Sequence, residues 1–184
     1  MDFDLPTISR AAQGIIYGDL LMRVLYRVRP YEKTPGSANA LYDYWVNRCT
    51  QSLVKWNFFE YDKNCRAIVK DFDEFAIHED LVKPKVGLVG EILVKFHPTA
   101  NNSVVDVVEA EGAEAVMPDL TDFFLYSSLN SDYKYKNLGG KLSSAITGHI
   151  GIAGIEFFRK AMKKALKKSK RFTPPASIYE LASK

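Results

Sequence analysis

The sequence is poor in the residues that hold metals. Its 184 residues include two cysteines, Cys49 and Cys65, and three histidines. The cysteines form no C-x-x-C pair and cannot make a disulfide framework, so a reducing, cytoplasmic setting is expected. Zinc and iron–sulfur clusters usually take four protein ligands, more than two scattered thiols supply. Both cysteines therefore read as small buried apolar residues. His78, His97 and His149 show no metal-ligand spacing. No run is long and apolar enough to span a membrane. Met1-Asp2-Phe3-Asp4 is acidic and lacks the basic and apolar regions of a signal peptide. Internal repeats and low-complexity segments are missing as well. So are a Ser-His-Asp order, HExxH, Walker A and GxGxxG.

What is present is an ordinary globular composition, 47% apolar and 26% charged. The length suits one domain with a real core, or a domain with a helical extension. The net charge of +3 conceals an asymmetry. Residues 159–184 hold nine Lys or Arg and one acid, Glu180, leaving a net −5 in residues 1–158. A uniformly basic nucleic-acid-binding domain would not divide its charge this way.

Apolar periodicity predicts a helix from Asp4 or Thr7 to about Arg29, ended by Pro30. Ile8, Ala12, Ile15, Asp19, Met22 and Tyr26 recur along it three and four apart. After the Thr34-Pro35-Gly36-Ser37 turn, a second helix runs from Ser37 to about Trp56, with Trp45, Cys49 and Leu53 on its apolar face. A third covers about Asn64 to Asp80 through Ile68, Phe72, Phe75 and Ala76.

Residues 85–119 then read as one βαβ unit. Val86 to Phe96 is a valine-rich apolar run, expected as a strand buried on both faces and stopped by Pro98. Asn101, Asn102 and Ser103 are N-caps for a helix from Val104 to Glu111, which Gly112 closes in a left-handed turn. In that helix Val104, Val107 and Val108 form the inward side. Glu114 to Met117 is a second strand. The expected fold is α/β and helix-rich, with a small parallel sheet in a Rossmann- or flavodoxin-like βαβ unit. Residues 1–83 form a helical segment and 84–184 the βαβ unit with C-terminal helices, together one compact domain. Two strands are fewer than the usual four to six or so of a sheet. The chain thus reads as part of a larger α/β protein or as a helix-rich domain on a minimal sheet.

In open α/β sheets, ligands bind beyond the carboxyl ends of the strands. That edge carries Gly90, Glu91, His97, Asn101 and Asn102, the candidate ligand-binding residues, and Asp119. Glu91 within an apolar strand needs a partner, either a ligand or a structural hydrogen bond. His97 is a residue type used in acid–base work but has no visible partner; a solvated loop histidine is the alternative. An anion is expected at this loop, because a helix N-terminus follows it.

Residues 120–138 are aromatic and read as a helix or irregular loop, followed by a long helix from about Leu142 to Ser169. Gly148, Gly151 and Gly154 recur every third residue in it. Without a lysine or serine at P-loop spacing, they read as a smooth packing stripe rather than a phosphate cradle. Lys160, Lys163, Lys164, Lys167 and Lys168 form a basic face, either a solvated helix end or a docking surface for something acidic.

Several of these stretches resemble one family. Val86-Gly87-Leu88-Val89-Gly90-Glu91-Ile92 with Lys95-Phe96-His97-Pro98-Thr99-Ala100-Asn101-Asn102 resembles a recurring segment of the 2-hydroxyacyl-CoA dehydratase superfamily. The closest likeness is to CoA-substrate-specific enzyme activases, in which an ATPase is fused to dehydratase-like modules. Glu111-Gly112-Ala113-Glu114, Met117-Pro118-Asp119-Leu120 and Asp122-Phe123-Phe124-Leu125-Tyr126 extend the likeness, as do Gly18-Asp19-Leu20-Leu21 and Arg29-Pro30-Tyr31-Glu32 upstream. The family's phosphate-binding motifs and cluster-binding cysteine segments are absent here. The resemblance therefore implies a piece of an anaerobic, cytoplasmic system that drives electrons with ATP to an iron–sulfur cluster acting on CoA thioesters. The cluster and ATP are expected only in the full-length protein or its partners, and this segment alone is expected to be inactive. Its expected partners are other modules of the same polypeptide, a dehydratase subunit or a second copy, not nucleic acid or membrane. The alternative is a noncatalytic structural or protein-interaction module.

Overall fold

The computed structural model describes residues 4–55 and 58–182, with the backbone alone for Phe58. Trp56, expected to close the second helix, lies outside the described residues. The first helix, α1 (Leu5–Val28), starts where Asp4 Oδ1 accepts the Thr7 N–H at 2.9 Å and stops before Pro30. A tight turn, Arg29–Tyr31, leads to α2 (Ser37–Lys55). The Glu32 carboxylate accepts the N–H groups of Gly36 and Ala38 at 2.7 Å each, satisfying orphan donors at the α2 entry.

The third helix, α3 (Phe58–Asp73), starts and ends earlier than its apolar pattern implies. Its buried face is Tyr61, Asn64, Cys65, Ile68, Val69 and Phe72. The chain leaves the helix because the next residues pair with the turn after α1. Ile77 bridges Glu32 antiparallel, and His78 N–H donates to the Tyr31 carbonyl at 2.8 Å.

The run expected as one buried strand is divided. Only β1 (Lys85–Gly87) is strand, and it is exposed along its length. Gly90 follows at φ +151°, and α4 (Ile92–Phe96) then begins, with Glu91 as its N-cap. Val89 is 90% exposed and Leu93 66%, so the run does not cross a core. Backbone conformation at Gly90 and the cap at Glu91 outweigh valine's strand preference, which is only a fit to a half-buried pleated surface.

The helix α5 (Val104–Ala110) buries Val105, while Val107 points outward. Gly112, at φ +86°, supplies the left-handed turn. The second strand, β2 (Glu114–Val116), pairs parallel with β1, Lys85 opposite Glu114 and Gly87 opposite Val116. The chain is helix-rich with a two-strand parallel sheet, consistent with an α/β fold. Leu88, Val105 and Ala115 make a small core there.

Residues 120–137 form a regular helix, α6 (Leu120–Asn137), antiparallel neighbour to α7 (Leu142–Leu166) across a turn at Gly139, φ +68°. A short α8 (Ile178–Ala182) adds Ile178 to Leu125 and Ile152 between these two helices. The main core joins α1, α2 and α3 to the last turns of α7 through Met162, Ala165 and Leu166. The packing therefore crosses residue 83/84 in the sequence. No helix among the described residues is long and apolar enough to cross a membrane.

Candidate functional site

The five residues expected to bind a ligand flank α4, Gly90 and Glu91 before it and His97, Asn101 and Asn102 after it, and most of their polar groups are already used. Glu91 accepts the Val94 N–H at 3.1 Å, the structural alternative for this carboxylate. His97 ends α4, and its Nδ1 receives the Ala100 N–H at 3.4 Å. The Asn101 amide donates to the carbonyls of Val94 and Lys95, both at 3.0 Å, and its oxygen accepts the Val104 N–H at 3.2 Å. Asn101 thus ties the end of α4 to the start of α5. Asn102 and Ser103 take left-handed conformations, φ +55° and +52°, to make that corner.

One of the five, Asn101, lines a cleft of about 410 Å³ between α1, α2 and this loop. Tyr26, Tyr42, Phe96 and Met117 supply its apolar wall. Its charged residues are Arg29 and Lys95 against Asp43 and Asp106, so its charge is balanced. Arg29 is committed: Nε to Glu109 at 2.7 Å, Nη1 to Asn39 at 3.3 Å and Nη2 to Asp106 at 3.1 Å. Lys95 Nζ rests over the Phe96 ring, 4.9 Å from its centre. Because Asp106 sits in the first turn of α5 and Asn101 takes the Val104 N–H, the anion expected at this helix start loses much of its attraction. The cleft fits a ligand with neutral amide or hydroxyl groups better.

A dense polar cluster lies elsewhere, with Asp19, Asp119 and Arg159 buried at its centre. Asp19 on α1 receives Leu120 N–H at 2.7 Å, Thr121 N–H at 2.9 Å and the Thr121 hydroxyl at 2.7 Å, capping α6 from another helix. Asp119 takes Arg23 at 2.7 Å and Arg159 at 3.2 Å. Arg159, wholly buried, also reaches Asp122 at 2.8 Å and Glu156 at 3.3 Å, and Lys163 completes Glu156 at 2.7 Å. Burial, then the neighbouring Asp119, pushes the Asp19 carboxyl up to about 6. Burial also raises Asp119, against the pull of Arg23 and Arg159. With Asp19 3% and Asp119 1% exposed, this seam joins α1, α6 and α7 and its central carboxylates are shut off from a substrate. Sequence reasoning placed Asp19 in an apolar stripe and passed over Arg159 between Phe158 and Met162. A lone acid on one apolar face and a lone arginine on another were the available signal.

The cysteines do not fit an iron–sulfur cluster. Both are buried in the main core, and burial pushes the Cys49 thiol up to about 12 and the Cys65 thiol upward too, away from the thiolate that binds metal. Among the described residues no group of three or more His, Cys, Asp and Glu is arranged to hold a metal ion. The glycine stripe of α7 packs: a methyl at Gly148 would overlap the Ser128 carbonyl oxygen, and one at Gly151 would approach Ser128 Oγ at 3.2 Å. Nearby, a groove of about 850 Å³ opens between the first half of α1 and the α6–α7 pair, floored by Ile8, Ile15, Ile16 and Phe124 and edged by serine hydroxyls.

Comparison with protein-family models, with curated proteins and with solved structures found no match to this chain.

Proposed function

We propose that the chain is a noncatalytic domain of a 2-hydroxyacyl-CoA dehydratase or activase-type protein. One observation carries the reading. The stretches that bear the resemblance, far apart in sequence, are hydrogen-bonded to one another in space. Asp19, from Gly18-Asp19-Leu20-Leu21, caps Leu120 of Met117-Pro118-Asp119-Leu120. Tyr31, from Arg29-Pro30-Tyr31-Glu32, donates to Glu114 of Glu111-Gly112-Ala113-Glu114 at 2.7 Å. Residues set by one fold's internal pairing would resemble a family together, in this way.

In this reading the iron–sulfur cluster and the ATP belong to other modules or partners, and the two-strand sheet is part of a larger flavodoxin-like one. The exposed β1 supports that, since an unpaired edge takes up further strands. The charge-balanced cleft beside Asn101 would receive the neutral amide arm of a CoA thioester rather than its phosphates. The groove along α1, α6 and α7 favours the interaction reading of the same domain, as a seat for a neighbouring module, a dehydratase subunit or a second copy.

A titration with a 2-hydroxyacyl-CoA tests the cleft. Saturable shifts of the backbone amides of residues 94–106 are expected, with adenosine monophosphate leaving them still. The encoding reading frame tests the rest: an ATPase module and cysteine-rich segments around this chain are expected. A frame holding neither, together with amides that ignore the thioester, would overturn the proposal.

A further inference from the structure

A second cleft, of about 290 Å³, runs along β2 and is lined by four cationic residues, Arg23, Arg27, Lys85 and Arg171, the last with its guanidinium tied to the Phe72 and Phe75 carbonyls. One lining carboxylate, Glu114, faces them. Its Oε2 is occupied by the Tyr31 hydroxyl at 2.7 Å and Arg27 Nη1 at 3.1 Å, and its Oε1 stands 3.7 Å from Lys85 Nζ. The other acids within reach are Asp119, bound to Arg23 and also to Arg159, and the exposed Glu79, bound to Arg171. Three carboxylates therefore serve four cations, one of them shared outward.

Donors are left over in the same place. Arg27 spends Nη1 on Glu114 and lies over the Tyr31 ring, 5.1 Å from its centre, which leaves Nε and Nη2 without a hydrogen-bond partner among the described residues. Arg23 uses Nε and Nη2 on Asp119, leaving Nη1. Lys85 has its one long contact with Glu114, and its side chain is 63% exposed. The free Nε–Nη2 fork of Arg27, with the Nη1 of Arg23 and the Lys85 ammonium beside it, suits a tetrahedral oxyanion, which accepts two parallel bonds from such a fork. Phe172, Met117, Val116 and Tyr26 add apolar lining to the same cleft. A bare inorganic ion would leave that lining unused.

We propose that this cleft binds a phosphate monoester, its phosphate held by Arg27, Lys85 and Arg23 and a flat apolar group lying against Phe172 and Met117. Glu114 holds Arg27 in place and keeps the cleft from binding every anion equally, because its own charge must be outweighed by a dianion.

Phenyl phosphate is the probe, titrated into the isotopically labelled chain at neutral pH. Inorganic phosphate and phenol are run beside it, following the amides of residues 85–87, 114–117 and 171–173. Saturable shifts with phenyl phosphate are expected, several-fold weaker ones with inorganic phosphate, and none with phenol. Lys85→Glu should weaken phenyl phosphate binding by at least about tenfold. Lys168→Glu, the same charge change on an exposed helix end, should leave it within roughly twofold, since distant surface charges are screened. Lys85→Gln, which adds no repulsion to the fold, should weaken binding by an intermediate factor. The proposal fails if no saturable shift is seen at millimolar probe. It also fails if phenol binds as well as its phosphate, or if the variants at 85 and 168 weaken binding alike.

Discussion

Arg159 is a wholly buried guanidinium that serves three carboxylates, and its Nε finds no partner among the described residues. Removing one member of a buried ion network strands the charges left behind. Arg159→Ala should therefore cost about 3–5 kcal/mol, read from denaturant unfolding. Arg159→Met, which fills the space, should still be clearly destabilising, because Asp119, Asp122 and Glu156 lose the same partner. Asp19 carries a separate signature. Its folded value, about 6, lies above the ordinary 3.8, so its contribution to stability is full below that ordinary value and is lost as pH rises through about 6. The stability gap between the native chain and Asp19→Asn should therefore shrink by on the order of 2–3 kcal/mol across that window. Melts of both proteins on either side of it check the sign. A gap that widens with pH would mean that the hydrogen bonds from Leu120 and Thr121 outweigh burial.

At the level of elements, helices were legible where an apolar stripe met clear punctuation. The first ran from an Asp4 cap to Pro30, and the second began at Ser37 after a Pro-Gly turn. Two elements were not legible, for different reasons. Residues 85–96 give an apolar run with no period, which cannot separate a strand from a strand, a turn and a short helix. What decides it is the φ of Gly90 and the reach of Glu91 to Val94 N–H, both local geometry. Residues 120–137 show no clean stripe because Phe123, Tyr126, Tyr133 and Tyr135 remain exposed, yet they form a full helix against α7. That contact separates the glycines of α7. Gly148→Ala should cost about 1–3 kcal/mol, since the new methyl meets the Ser128 carbonyl and the helices must part. Gly154→Ala, where nothing lies within 4 Å, should be neutral or stabilising by up to about 1 kcal/mol. Equal costs at both positions, measured by thermal unfolding, would contradict the packing role.

For the molecule as a whole, the pattern of exposure is uneven. Along α7, Leu142, Ile146, Ile150 and Phe157 are 54%, 52%, 67% and 59% exposed, and Val89 and Leu93 stand out near β1. A contiguous apolar stripe of this kind recruits contacts. The isolated chain should associate at high concentration in light scattering, and Ile150→Glu should shift it toward monomer without lowering its melting temperature. A strict monomer in the native protein would show that these side chains are tolerated in water. The segment of Gly90, Glu91, His97, Asn101 and Asn102 could be found from sequence as an element junction. The roles of its side chains could not, because hydrogen bonds to Val94, Lys95 and Val104 depend on a corner that no periodicity announces.

The cap that Asp19 places on α6 has a consequence for synthesis. The carboxylate is made about a hundred residues before the N–H groups it receives, and Arg23 waits as long for Asp119. Tyr61 likewise waits for the Phe158 carbonyl, and Asp73 for Ser169 and Arg171. At translation speeds of about 5–20 residues per second, the first helix stands at the ribosome for roughly 5–20 s with its polar groups unmet and one apolar side uncovered. The main core is complete only once Met162, Ala165 and Leu166 have left the exit tunnel.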